Sequence, residues 1–91
     1  MMFQYNLEII KHSLGDACTH LSPLMTKKFD KDLEKYVPMY GVKAVLINEE
    51  GGRDKVEVGF SKHFDSFTKE DFQAIFEHLN TRAYNGRKDT V

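Results

Sequence analysis

The densest group of candidate metal ligands in this chain is His12, Asp16, Cys18 and His20. Thiolate, imidazole and carboxylate can together hold zinc. The spacing matches no established zinc pattern, however, and no second cysteine or paired histidine completes one. Cys18 is also a candidate nucleophile, with His20 or His63 as its base. A reactive thiolate needs an electropositive or helix-N-terminal setting. Nothing beside Cys18 resembles an oxyanion nest, and a small core residue is the commoner role for a lone cysteine. There is no Gly-rich phosphate loop, nucleophile elbow or His-Glu-x-x-His motif. The expectation is a protein that is not an enzyme and carries no cofactor.

A second chemistry resides in Lys27, Lys28, Lys31 and Lys35. Read as a helix, Lys27, Lys31 and Lys35 fall on one stripe with Lys28 beside it. Such a stripe can follow a phosphate backbone. Asp30, Asp32 and Glu34 lie among these lysines and offset much of their field. Base recognition would also call for Arg, Asn or exposed aromatics.

The elements that must position these groups are organised around residues 42–64. Gly51-Gly52 separates two β-branched runs, which predicts a two-residue hairpin. Val56, Val58 and Phe60 alternate with Lys55, Glu57 and Gly59, as in a half-covered strand. The preceding run, Val42–Ile47, is apolar on both sides, which places it centrally. A Gly51-Gly52 loop pairs Ile47 with Val56, Val45 with Val58 and Lys43 with Phe60. Ala44, Leu46 and Gly59 then fall on the open face. A one-residue slip would move the whole set across.

Upstream, Phe3, Tyr5, Leu7 and Ile9 alternate with polar residues and predict a first strand. The spacing from Ala17 to Tyr36 predicts a short helical turn, then a main helix opening at Ser22-Pro23. Downstream, Thr68 with Asp71 forms a capping-box signature. Phe67 with Phe72 forms a hydrophobic staple. Phe72, Ile75, Phe76, Leu79 and Ala83 make the buried stripe of a last helix, which Asn85-Gly86 ends. The expected fold is α+β: a two-layer β-α-β-β-α sandwich, with a three-stranded mixed sheet and two helices on one face. Residues 1–86 form one domain and residues 87–91 a flexible tail.

Ninety-one residues suffice for one modest core. One cysteine and a net charge of −1 point to a reducing compartment and no bulk attraction to nucleic acid. No apolar run reaches membrane-span length and no signal-peptide pattern opens the chain, so the expected location is cytoplasmic. By subtraction, the expected function is a small protein-binding regulator or inhibitor of a larger cellular machine, of phage or mobile-element type. It would act through the open sheet face around Ala44, Leu46, Glu57 and Gly59, or through an edge strand. Homodimerisation is compatible with that reading. Nucleic-acid binding through the four lysines is the alternative, and a site around Cys18 is the second alternative.

Overall fold

The computed structural model describes residues 2–83. The order of elements is α1 (Met2–Leu14), β1 (Cys18–Asp30), β2 (Lys35–Ile47), β3 (Arg53–Phe60) and α2 (Lys69–Arg82). Short 3₁₀ turns at Gly15–Ala17 and Phe64–Ser66 lead out of α1 and into α2. The sheet has the order β1-β2-β3 and is antiparallel throughout. The α+β class, the central second strand and the two helices on one face agree with the sequence expectation. The order of elements is α-β-β-β-α rather than β-α-β-β-α, and the mixed sheet is corrected to an antiparallel one.

The N-terminal half accounts for this difference. Phe3, Leu7, Ile10 and Leu14 recur at helical spacing, and Leu7, Ile10 and Leu14 are buried. The same stretch also alternates, but the alternating Tyr5 and Ile9 are exposed. Helical period prevails because it continues for 13 residues, whereas the alternation ends at Ile9. Lys11 and His12 sit in the last turn, where the helix dipole favours cations. Gly15, at φ 60°, takes the left-handed conformation that stops the helix.

The expected main helix at Pro23–Tyr36 is instead a hairpin. Pro23 is tolerated because β1 is an edge strand. Pro38 lies where β2 no longer has β3 beside it, since the last β2–β3 pair is Tyr40–Phe60. The turn is built by Asp30, whose Oδ1 accepts from the N–H groups of Asp32 (2.9 Å) and Leu33 (3.1 Å). Glu34 completes it at φ 53°. A bulge between Cys18 and His20 shifts the alternation of β1, so that Cys18 and Leu21 both point toward the helices.

The second hairpin turns over Asn48–Gly52, not over two glycines. Asn48 Oδ1 accepts from the N–H groups of Glu50 (3.0 Å) and Gly52 (2.8 Å). Its backbone N–H donates to the Gly52 carbonyl at 2.9 Å. The longer loop sets Ala44 opposite Val56, Val42 opposite Val58 and Tyr40 opposite Phe60. Relative to a two-residue loop the shift is odd, so every β2 side chain changes face while β3 keeps its own. Val42, Ala44 and Leu46 enter the core, while Lys43, Val45 and Ile47 turn outward.

One core joins the layers: Leu7, Ile10 and Leu14 from α1, Val42, Ala44 and Leu46 from β2, and Ile75, Leu79 and Ala83 at the α2 end. Each fully buried Leu, Ile or Val contributes about 1.5–3 kcal/mol. Of the two helices expected from the sequence, the better marked is present as α2. Thr68 Oγ1 accepts from Asp71 N–H (3.2 Å), and Asp71 Oδ2 accepts from Thr68 N–H (2.7 Å). Phe67 and Phe72 close the staple with ring centroids 5.7 Å apart. The expected end at Asn85-Gly86 and the tail at 87–91 lie outside the described residues.

Two predictions follow from this packing. Leu46 is fully buried opposite Asp54 and beneath the helices, so Leu46→Asp places an uncompensated charge in the core. It should cost about 4 kcal/mol or more and unfold the chain, as read by circular dichroism. A folded variant would contradict this register. The Lys62 ammonium, 2.6 Å from Asp71 Oδ2, and the Thr68 N–H hold the Asp71 carboxyl below its ordinary value of 3.8. A carboxyl lowered in this way stabilises the fold above that value, and the contribution is lost as pH falls through the folded pKa. The Tm gap between wild type and Asp71→Asn should therefore be fully open at neutral pH and narrow below pH 3.8. A gap constant down through that range would show that Asp71 acts without its charge.

Candidate binding face

Because both helices pack on the Val42/Ala44/Leu46 side, the other side of the sheet is uncovered by any described helix. Strand alternation assigns its residues. From β1 come His20, Ser22, Leu24, Thr26, Lys28 and Asp30. Lys35, Val37, Met39, Gly41, Lys43, Val45 and Ile47 come from β2, and Arg53, Lys55, Glu57 and Gly59 from β3.

The composition of this face is uneven. Leu24, Val37, Met39, Val45 and Ile47 are all half-buried and form an aliphatic floor. Lys28, Lys35, Lys43, Arg53 and Lys55 stand on the same face with only Asp30 and Glu57 as carboxylates. Asp30 is directly opposite Lys35, and Glu57 directly opposite Lys43. Lys28, Arg53 and Lys55 have no acid across the ladder, so the face is positive although the whole chain is net −1.

Gly41 and Gly59 face each other across β2 and β3 and leave a side-chain-free trough in the middle. Gly41 is required there, because a Cβ would fall on the Val58 carbonyl. Met39 leans over the trough, with its Cε 3.4 Å from where a Gly59 Cβ would lie. A methionine in that place is a pliable cover that an incoming side chain can push aside. A shallow hollow of about 390 Å3 lies beside it, lined by Lys28, Asp30, Val37, Met39 and Ser61 among others.

Of the residues expected on the open face, Glu57 and Gly59 are there. Ala44 and Leu46 are not; both are 0% exposed under the helices. This is a correction, and its cause is the Asn48-centred loop. The apolar residues that do occupy the face, Val45 and Ile47, lie in the same strand one residue away. Asn48 was the available signal, since an Asn side chain that bonds two positions ahead initiates turns on its own.

The lysine stripe is also corrected, because its helix is a hairpin. Lys28 and Lys35 stand on the open face. Lys27 stands on the helix side, with its Nζ 5.9 Å from the Tyr36 ring centroid, and Lys31 is in the turn. No aromatic ring lies on the open face of the strands; Phe29, Tyr36, Tyr40 and Phe60 all project to the other side.

The residues around Cys18 do not converge. His12 is in the last turn of α1, Asp16 is exposed in the following turn, and His20 faces the open side with its Nε2 3.1 Å from Ser22 Oγ. No group of three potential ligands gathers among the described residues. Cys18 is buried and its Sγ–H donates to the His20 carbonyl at 3.2 Å. Burial pushes its thiol above the ordinary value, only partly countered by the His20 backbone on the sulfur and by the Lys11 charge. The thiol is therefore protonated at neutral pH. A maleimide or disulfide probe should label Cys18 in the folded protein far more slowly than in denaturant. Equal rates at neutral pH would show an accessible, activated thiolate.

No described helix is long and apolar enough to cross a membrane. Comparison of the chain with protein families, with curated proteins and with solved structures finds no significant match.

Proposed function

We propose that this chain is a small non-enzymatic binding protein, a regulator or inhibitor that docks its uncovered sheet face on an acidic surface of a larger protein. The observation that supports this reading is the anatomy of that face. It has a half-buried aliphatic floor, a glycine trough under a movable methionine, a surround of Lys28, Lys35, Arg53 and Lys55, and Lys43 on the central strand beside the trough. An apolar centre inside a charged rim is the arrangement of protein–protein interfaces. The rim charges set the partner's sign and speed encounter, and the floor supplies the lasting contact.

Nucleic acid is the second reading, favoured by the same positive charge. The absence of stacking rings on the strands of this face weighs against single-stranded ligands. The Lys35–Asp30 and Lys43–Glu57 juxtapositions weigh against a continuous phosphate track.

The deciding experiment is affinity capture from native cytosol after nuclease treatment, with wild type and a Lys43→Glu/Lys55→Glu variant side by side. Both substitutions are at exposed positions; because Lys43→Glu faces Glu57 across the ladder, the capture is run well below the melting temperature of the variant. A stoichiometric protein partner held by the wild type should be lost, or weakened by at least about tenfold, on the variant. Material that disappears with nuclease would move the function to nucleic acid. A partner retained equally by both proteins would remove the open face from the interaction.

A further inference from the structure

The β1–β2 hairpin is longer than the sheet it belongs to. Beyond the Tyr40–Phe60 pair, Thr26–Asp30 and Lys35–Met39 continue as two strands with no third strand beside them. At the strand rise of about 3.3 Å per residue this arm projects roughly 17 Å, consistent with the 47 Å long axis of the molecule. An isolated two-stranded ribbon is marginal in water unless something packs on it.

Apart from Lys27, its helix-side face is apolar and bare, with Met25 at the base of the arm and Leu33 at its tip. Met25 is 72% exposed, Phe29 47%, Leu33 58% and Tyr36 63%. Phe29 and Tyr36 stack edge to face with centroids 5.3 Å apart. Together these side chains expose roughly 450 Å2. A standard interface buries about 800 Å2 per partner, a little over half of it apolar. The patch is therefore the right size for the apolar part of one such interface.

We infer that a second copy of this chain covers the patch, the two arms packing face to face and antiparallel about a two-fold axis near Phe29 and Tyr36. The pattern along the arm is complementary to itself, as a two-fold interface requires. Met25 lies on the base side of the Phe29–Tyr36 pair and Leu33 on the tip side, so the axis sets Met25 of one copy against Leu33 of the other. Lys27 lies on the base side, and the tip carries Asp32 and Glu34 against Lys31 alone, so it is net acidic. The same axis therefore brings cation beside carboxylate at both ends. The near balance of charge on the arm makes a strongly charged partner a poorer fit for this face. Pro38, within the arm and at the edge of β2 that β3 leaves free, has no N–H to offer a further strand, so the arms meet through their faces rather than by extending the sheet there. The uncovered sheet face is on the opposite side and remains free for the partner proposed above.

Sedimentation of the full chain across a concentration series tests this. Wild type should sediment at twice the 10.6 kDa chain mass at micromolar concentrations. Phe29→Asp should sediment as a monomer. Leu33→Lys, in the turn and outside the ladder, should weaken association by at least about tenfold while leaving the melting of a dilute sample unchanged. Lys43→Glu/Lys55→Glu should dimerise like wild type, which separates this interface from the other. A wild type that stays monomeric to millimolar concentration would overturn the inference. So would a dimer equally tight in the Phe29 and Leu33 variants.

Discussion

The register between β2 and β3 is the constraint on which the rest of the molecule depends. Strand side chains alternate, so one residue of slip would send Val42, Ala44 and Leu46 to solvent and Lys43 to the core. The lost burial alone would amount to several kcal/mol, a large share of the stability of so small a domain. Two local features guard against the slip. The Asn48 side chain fixes the loop length by bonding Glu50 and Gly52. Gly41 lets the strands approach so closely that any side chain there would meet the Val58 carbonyl. Both helices then dock on a face that is already decided.

That decision also produces the two outward surfaces. Because β2 directs its small and medium apolar residues inward, its outward set is Lys43, Val45 and Ile47, with Met39 and Gly41 at the centre. The cations of β3 join them on the same side. Because β2 outruns β3, its first residues and their partners on β1 leave the helix layer behind. Phe29 and Tyr36 thus occupy core-facing positions of a strand pair that has no core above it. The exposed aromatics are the continuation of the core pattern past the end of the helices.

How much of this the sequence disclosed varies along the chain. The cap and staple of α2 involve neighbours in sequence, and their bonds form within one turn of helix; Thr68, Asp71, Phe67 and Phe72 could therefore be read directly. The strand character of 53–60 was equally plain from its alternation. Residues 3–14 carry both periods at once, and only the burial of Ile10 and Leu14 separates them. Residues 23–36 combine good helix formers with a proline that fits either a helix start or an edge strand. There the choice falls to tertiary context, because β2 has a free edge that needs a partner.

The binding face was legible in kind but not in membership, for a reason that follows from the same register. An uncovered sheet side is expected from three strands and two helices, and Glu57 and Gly59 are on it as expected because β3 alternates without ambiguity. Strand β2 is apolar on both sides, so its own pattern contains no information about which side faces inward. The information lies instead in Asn48, outside the strand, acting through the length of a loop. The partition of the lysines depends on it too. Only with β2 oriented this way do Lys28, Lys35, Lys43 and Lys55 share one surface with Arg53, while Lys27 stays with the aromatics on the other side. The charge asymmetry of the molecule is thus a consequence of loop geometry rather than of composition, and a net charge near zero conceals it.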